Sequence, residues 1–240
     1  MKYFVFSDVH NGFDELMQAL TNAGFEYNNK EHILICCGDL FDRLDKAVQL
    51  FNFIYDFKIK YPNRFIYIKG NHELLLKQCV YEMKHGGCDP IHRSNGTIGT
   101  ISQFIEAGIL DKVLKFIDNN SIYYYELDDY IFCHAGLPLK LIYEDEKPKL
   151  VINKQASDQD FQMHTWDNPF DNWEHDIYPS DKTMVVGHWG TVEANYLYHN
   201  KGSGKYDKNG CFDTFIDKNI VALDTTTALS HKVNIYVIEK

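Results

Sequence analysis

The sequence predicts an α/β fold in which two mixed β-sheets pack against each other and helices flank them. Three short apolar runs, residues 3–6, 33–37 and 65–68, are rich in aromatic or β-branched residues, as is typical of strands buried on both faces. An amphipathic segment follows each of the first two runs, which indicates successive β-α-β units with parallel strands. Strand-like runs return in the second half of the chain and indicate a second sheet packed on the first.

Helices are predicted, from apolar residues at helical spacing, in four places: 13–23, from Leu44 to the residue before Pro62, 73–84, and 101–117 with a break near Gly108. The intervening segment 85–99 contains four glycines and one proline. This composition predicts a loop over the edge at which the strands end.

Strands are predicted in the second half over 122–125, 130–133, 184–186, 220–223 and 233–238. Asp128 and Asp129 would form the turn between the first two, and we assign the last three to the second sheet. Residues 138–181 have an irregular, aromatic-rich pattern that predicts a packed cap. Because no linker divides the chain, we predict a single domain over 1–240.

Composition and charge restrict the partners of the chain. The 240 residues are 45% hydrophobic and 15% aromatic, enough to fill the core of one large domain. The 34 acidic residues outnumber the 24 basic ones and give a formal charge of -10, which disfavours binding along an extended nucleic acid. A small phosphorylated group is compatible with this charge, because bound divalent cations reverse the local field.

The chain is predicted to be cytoplasmic and to have no membrane partner. Its first apolar run, residues 3–6, is too short for a signal-peptide core or a membrane span. The six cysteines include no Cys-x-x-Cys pair, so we expect reduced, buried thiols. The sequence specifies no oligomeric state.

Polar side chains directly follow the first three apolar runs. They form the strings Ser-Asp-Val-His at 7–10, Gly-Asp-Leu-Phe-Asp-Arg at 38–43 and Gly-Asn-His-Glu at 70–73. Because the carboxyl ends of parallel strands meet at one edge of a sheet, carboxylate, imidazole and amide oxygen are expected to gather there. Two later strand-like runs end in His134 and His188, and the five strand ends together favour a metal site.

The first two strings also have a purely structural interpretation. Asp8 or Asn11 would cap the helix that follows the first run, and Asp42 would cap the next helix. Arg43 would form a surface ion pair with Asp42 or Asp45. These alternatives stay open on the sequence alone.

The motifs occur in the order Asp-x-His, Gly-Asp-x-x-Asp-Arg, Gly-Asn-His-Glu, His-Ala-Gly and Gly-His over most of the chain. This order resembles the phosphoprotein phosphatase family of calcineurin-like metallophosphoesterases. The compact size and the His-Ala-Gly motif make the chain most similar to the bacterial and phage branch. The resemblance implies the calcineurin-like fold and a metal-dependent phosphomonoesterase, acting on phosphoserine and phosphothreonine in proteins and, by extension, on phosphotyrosine.

The resemblance also implies two divalent metal ions, manganese in the first place and iron or zinc as alternatives. The implied ligands are Asp8 and His10 for one ion, Asp39 as a bridge, and Asn71, His134 and His188 for the other. Two such ions about 3.5–4 Å apart can generate a bridging hydroxide at neutral pH for in-line attack on a phosphate.

Side chains beside these ligands are implied in catalysis and substrate binding. His72 would protonate the leaving group as general acid, and Asp42 would orient its ring. Arg43 would bind two phosphate oxygens through its planar guanidinium, and Asn71 would add an amide donor. The family's second phosphate-binding arginine is missing, because residues 94–240 contain no arginine, and Arg93 is the candidate that replaces it.

Two other functions fit the same motifs. Symmetrical diadenosine tetraphosphatases share the scaffold but usually carry glutamine where His10 stands, so a nucleotide hydrolase is the alternative enzyme. A degenerate scaffold that binds partners through the 138–181 cap is the non-enzymatic alternative. The predicted substrate is a phosphorylated protein or a small phosphoester.

Overall fold

The computed structural model describes residues 1–179 and 181–240, so residue 180 of the predicted cap lies outside the described part. The first half contains, in chain order, β1 (Lys2–Phe6), α1 (Phe13–Asn22), β2 (His32–Cys36), α2 (Ala47–Lys60), β3 (Phe65–Ile68), α3 (Asn71–Lys84), α4 (Pro90–Ser94), α5 (Thr97–Glu106) and α6 (Leu110–Asn120). The second half contains β4 (Ser121–Ile122), β5 (Tyr124–Leu127), β6 (Tyr130–Cys133), β7 (Leu139–Glu144), β8 (Lys147–Ile152), α7 (Asp158–Met163), α8 (Pro169–Glu174), β9 (Thr183–Val186), α9 (Thr191–His199), β10 (Phe215–Asp217), β11 (Ile220–Ala222), α10 (Thr227–Ser230) and β12 (Tyr236–Glu239).

The described strands form two five-stranded sheets and one hairpin. The first sheet has the order β12-β1-β2-β3-β4, in which β12 is antiparallel to β1 and the other pairs are parallel. The second has the order β10-β11-β9-β6-β5, with parallel pairs in its centre and antiparallel pairs at both edges. The predicted architecture of two packed mixed sheets flanked by helices is confirmed.

The alternation of side chains along β1 shows how the layers are stacked. Phe4 and Phe6 belong to the buried cluster between the first sheet and the helices, whereas Val5, between them, belongs to the cluster between the two sheets. Side chains two apart on a strand point to the same face, so β1 is buried on both sides. From the second sheet, Phe132 and Val185 lie in this layer between the sheets.

A third buried cluster covers the outer face of the second sheet. There Met184 of β9 packs with Phe170 of α8 and Phe215 of β10. The cap therefore contributes to the core of the second sheet. This packing fixes the cap relative to the ends of β6 and β9.

The assignment of the last predicted strand to the second sheet is wrong. The predicted strand 233–238 is present as β12, but it pairs with β1 at the edge of the first sheet, with Lys2 opposite Glu239 and Val5 opposite Tyr236. β10, which occupies the corresponding edge of the second sheet, was not predicted, because it has only three residues and two of them are exposed. The choice of partner strand is a tertiary property that a local pattern does not encode.

The prediction of a loop over 85–99 is also wrong in its second half. Pro90 occupies the first turn of α4, and the side chain of Asp89 caps it by accepting a hydrogen bond from Ile91 N at 2.9 Å. This start signal outweighs the glycines around it. The next helix, α5, begins at Thr97.

The predicted irregular cap is more regular than expected. Its first part is the antiparallel β7–β8 hairpin, and the short helices α7 and α8 follow. Pro169 lies in the first turn of α8, where proline is compatible with a helix, and Pro148 pairs with Tyr143 in the hairpin.

The described cysteines are all free thiols; Cys36, Cys37, Cys79 and Cys133 are buried, whereas Cys88 is exposed and Cys211 half-buried. No helix within 1–179 or 181–240 has the length and apolar character needed to cross a membrane. The cytoplasmic location and the single domain over 1–240 stay predictions.

We expect Phe132→Ala to lower the free energy of unfolding by about 3–5 kcal/mol, because it leaves a cavity between the two sheets. Phe132 is fully buried, whereas the control residue Tyr143 is 71% exposed on the hairpin. Urea denaturation measures both variants, and Tyr143→Ala should change the free energy by no more than about 0.5 kcal/mol. A loss below about 1 kcal/mol for Phe132→Ala would contradict the assigned packing between the sheets.

Candidate metal centre

The carboxyl ends of five strands, three from the first sheet and two from the second, meet at one place. They carry the six residues expected as metal ligands: Asp8 and His10 after β1, Asp39 after β2, Asn71 at the start of α3, His134 after β6 and His188 after β9. Five of the six are buried, and His188 is partly exposed. The structure brings all six together around the carboxylate of Asp39.

The backbone of these loops is strained at many of the site residues. The non-glycine residues there with left-handed backbone, at φ between 50° and 78°, are Asp8, His10, Asn11, Asp39, Asp42, Arg43 and His188. Each such residue costs on the order of 1–3 kcal/mol and persists only where its surroundings determine it. Strain of this kind, concentrated at one place, is typical of a functional site.

Glu73 joins the strained loop after β2 to the start of α3. Its buried carboxylate accepts hydrogen bonds from the backbone N–H groups of Asp39, Leu40 and Gly70 at 3.0, 2.9 and 2.7 Å. Burial and the neighbouring Asp39 raise the pKa of Glu73, and the three N–H donors partly offset this. The Gly-Asn-His-Glu string therefore holds the loop after β2 against the start of α3.

A close approach between the sheets joins the loops after β1 and β9. A Cβ atom on Gly187 would lie 2.1 Å from Asp8 Oδ2, so only glycine fits there. The N–H of His188 donates to the same Asp8 oxygen at 2.9 Å. Asp8 is thus committed to the site, and the alternative role as a helix cap is wrong, because α1 has Gly12 in its cap position and no side-chain cap.

The imidazole of His134 presents a lone pair to other acceptor atoms. Its Nδ1 lies 2.8 Å from the carbonyl of Cys37 and must donate there, so the neutral ring carries its lone pair on Nε2. That Nε2 lies 2.8 Å from Asn71 Oδ1, 3.2 Å from His188 Nδ1 and 3.4 Å from Asp39 Oδ1. A cation bound among these oxygen and nitrogen atoms would satisfy them together, and divalent metals accept this donor set.

The imidazole of His10 repeats the arrangement on the other side of Asp39. Its Nδ1 is 2.9 Å from the carbonyl of Phe41, and its buried Nε2 has no hydrogen-bond partner among the described residues. Asp8 Oδ1 and Asp39 Oδ2 lie 3.7 and 3.9 Å from this Nε2. The unpartnered lone pair beside two carboxylates fits a second cation.

Two groups of side chains that could hold a metal ion share Asp39: His10, Asp39 and His72 form one, and Asp39, His134 and His188 form the other. His72, which is expected as the general acid, therefore also lies close enough to His10 and Asp39 to contact a metal ion held by them.

The electrostatics of the site favour a neutral His10 and a neutral His188 beside an ionised Asp39. Burial lowers the pKa of His10 and that of His188, the latter to about 3. Burial alone would raise the pKa of Asp39, but the surrounding imidazoles, His134 first, lower it overall. Neutral imidazole and carboxylate are the forms that bind metal ions.

His72 is hydrogen-bonded to Asp42, as expected. Its Nδ1 donates to Asp42 Oδ2 at 2.8 Å, and burial, which lowers the pKa of His72, is outweighed by the carboxylates of Asp39 and Asp42, which raise it. The alternative role of Asp42 as a helix cap is wrong, because α2 begins only at Ala47 and has no side-chain cap.

The two arginines expected to bind phosphate differ in their surroundings. Arg43 Nη2 lies 3.4 Å from His72 Nε2, and the alternative ion pair of Arg43 with Asp42 or Asp45 is absent from the described residues. Arg93 is exposed on α4, and its guanidinium has no hydrogen bond or ion pair within the described part of the chain.

Asp224 is a site residue that the sequence reasoning missed. It is buried after β11, accepts a hydrogen bond from Thr226 N at 2.6 Å, and has a pKa raised by burial. Together with burial and Asp39, it raises the pKa of Asp8. The strand-end rule would have found it, because Asp224 directly follows the predicted strand 220–223.

Comparisons with known proteins agree with this geometry. The family model described as calcineurin-like phosphoesterase matches residues 1–222. The asymmetrical bis(5'-nucleosyl)-tetraphosphatase PrpE of Oceanobacillus iheyensis is 23% identical over 215 residues, which cover 83% of this chain and 81% of that protein.

Among solved structures, a cold-active protein-tyrosine phosphatase of a psychrophilic Shewanella species is similar over 100% of this chain and 75% of its own, with a TM-score of 0.55 and 12% identity. A protein serine/threonine phosphatase from Saccharomyces cerevisiae is similar over 79% of this chain, with a TM-score of 0.53 and 18% identity; the match spans 61% of the yeast chain. These likenesses show the fold. With the family match over most of its length, the chain belongs to the calcineurin-like phosphoesterase family.

Proposed function

We propose that the protein is a binuclear metal-dependent phosphomonoesterase that removes phosphate from phosphoserine, phosphothreonine and phosphotyrosine in proteins. The observation that carries the proposal is the convergence of unprotonated nitrogen and oxygen atoms on both sides of Asp39, next to the His72–Asp42 pair and Arg43. Cations would satisfy lone pairs that face one another in a buried site, and a proton donor beside them suits hydrolysis of a phosphoester.

Two divalent ions, with manganese as our first choice and iron or zinc as alternatives, would supply a nucleophile at neutral pH and neutralise phosphate charge. Their ligands would be Asp8, His10, Asp39, Asn71, His134 and His188.

The remaining side chains bind and orient the substrate. Arg43 would hold two phosphate oxygens in its planar fork, and Arg93 would add a second guanidinium from α4. His72, oriented through Nδ1 by Asp42, would give its Nε2 proton to the leaving oxygen as the P–O bond breaks. No covalent intermediate with the protein is required.

The alternative is hydrolysis of a dinucleoside tetraphosphate, and the similarity to PrpE supports it. A cavity of about 440 Å³ beside Arg43 argues against a long phosphate chain. Its lining carries three carboxylates, those of Asp14, Glu15 and Asp45, and two basic side chains, Arg43 and Lys46, of which Lys46 is paired with Asp14. The lining therefore has one more carboxylate than it has arginine and lysine side chains, and this excess negative charge would repel the additional phosphates of a tetraphosphate more than it would repel a peptide.

Metal content tests the ligand assignment and separates the enzyme from a degenerate binding scaffold. We expect manganese-loaded protein to retain two ions per chain after gel filtration, Asp39→Asn to lose both because it removes the shared ligand, and Asp8→Asn to lose one. Elemental analysis of the protein measures the content.

The control for this experiment is Asp118→Asn, which removes an exposed carboxylate paired with Lys77. It should retain as much manganese as the unaltered protein. Less than one ion per chain in the unaltered protein, or full retention by Asp39→Asn, would count against the binuclear site.

Substrate preference tests the second part of the proposal. We expect kcat/KM for phosphoserine and phosphotyrosine peptides to exceed that for diadenosine tetraphosphate by on the order of ten-fold or more. We expect Asp45→Lys to shift the ratio toward the tetraphosphate by roughly three-fold, because it removes one exposed negative charge from the cavity and adds a positive one.

The matched control is Asp118→Lys, which makes the same change of charge away from the site. It should leave the ratio unaltered. Rapid hydrolysis of diadenosine tetraphosphate with no release of phosphate from the peptides would contradict the proposed phosphatase activity and support the nucleotide hydrolase.

A further inference from the structure

The carboxylate of Asp42 is held by a second hydrogen bond that comes from outside the strand-end strings. Thr97, the first residue of α5, is fully buried, and its hydroxyl donates to Asp42 Oδ2 at 2.7 Å. The same oxygen accepts from His72 Nδ1 at 2.8 Å. The other oxygen, Oδ1, is buried and has no hydrogen-bond partner among the described residues. Both hydrogen bonds of this carboxylate therefore converge on one oxygen.

The turn before Thr97 lies directly on the backbone of the neighbouring arginine. A Cβ atom on Gly96 would lie 2.6 Å from Arg43 N and 2.9 Å from Arg43 Cα, so a side chain there would clash. Gly96 also has φ of +82°, which glycine adopts without strain. The close contact fixes the distance between the start of α5 and the Asp42–Arg43 segment.

One turn later, α5 is anchored again to the loops of the site. Asn11 Nδ2 donates to Thr100 Oγ1 and to the carbonyl of Leu44, both at 2.9 Å. Asn11 belongs to the loop after β1 and Leu44 to the loop after β2. The first turn of α5 is thus held at two points, so the hydroxyl of Thr97 has a fixed position.

A carboxylate that is held at one point can turn about its terminal torsion, which has a broad energy profile. With His72 as its single donor, Asp42 would turn together with the imidazole, and Nε2 would lose its fixed direction. A second donor on the same oxygen removes this freedom. Misplacement of a proton donor by about 1 Å is enough to lower a rate by up to about a hundred-fold.

We propose that Thr97 is a positioning residue whose hydroxyl fixes the Asp42 carboxylate and, through it, the direction in which His72 delivers its proton to the leaving oxygen. The inference rests on the proposed role of His72 as general acid. Thr97 touches neither the substrate nor the metal ligands in this account and acts through Asp42.

Two substitutions separate the hydroxyl from the shape of the side chain. Thr97→Val keeps the branched shape and removes the donor, whereas Thr97→Ser keeps the donor. We expect Thr97→Val to lower kcat on a phosphoserine peptide by roughly ten- to a hundred-fold while KM and manganese content stay unaltered. Thr97→Ser should restore kcat to within about two-fold of the unaltered protein.

The leaving group distinguishes positioning of the acid from a general structural defect. p-Nitrophenolate leaves without being protonated, so Thr97→Val should lower kcat on p-nitrophenyl phosphate much less than on the phosphoserine peptide. In a His72→Gln background, Thr97→Val should cause no further loss, because the group through which it acts is gone.

The proposal is overturned if Thr97→Val lowers kcat equally on the phosphoserine peptide and on p-nitrophenyl phosphate. It is also overturned if Thr97→Ser has as low a kcat as Thr97→Val, or if Thr97→Val lowers kcat further in the His72→Gln protein. The proposed function fails separately. If His72→Gln itself shows no selective loss on the peptide, the general acid is misassigned. If His72→Gln shows that loss and Thr97→Val does not, only the role of Thr97 is wrong.

Discussion

The constraint on which the site depends is the crowding of lone pairs around one buried carboxylate. His10 and His134 each use Nδ1 to donate to a backbone carbonyl, so each turns an unprotonated Nε2 toward Asp39. Such an arrangement is unfavourable by itself, because buried acceptors without donors lose their hydration. Divalent cations bound there would satisfy these acceptors, which is the basis of the proposed metal site.

The rest of the fold keeps these groups from moving apart. The two sheets bury Val5 and Phe132 between them, and this layer fixes the carboxyl ends of β1 and β6 next to each other. Glu73 joins two loops within the first sheet, and Asp8 joins the sheets by accepting from the N–H of His188. The left-handed backbone of the site residues is tolerated because these contacts over-determine it. The packed core thus provides the stability that offsets the strained backbone at the site.

The sequence predicts those parts of the molecule that short-range patterns determine. Apolar runs ending in Asp8, Asn71 and His134 mark strand ends, and strand ends of parallel sheets meet at one edge for topological reasons. Asp224 follows the same rule, because it stands directly after the predicted strand 220–223. The predicted ligands and their roles remain proposals that metal binding and kinetics will test.

Other parts could not be predicted, because they depend on contacts distant in sequence. The pairing of β12 with β1 joins the two ends of the described chain, and no local pattern specifies that partner. The contact of Thr97 with Asp42 spans 55 residues and requires the turn at Gly96, which composition alone presented as part of a loop. Side chains that act through others leave no signal in strand-end motifs.

Anomalous X-ray diffraction from crystals grown with manganese would test the central claim most directly. The account predicts two anomalous peaks about 3.5–4 Å apart, both within coordination distance of Asp39, one beside His10 and one beside His134. A single peak, or manganese bound away from Asp39, would contradict it.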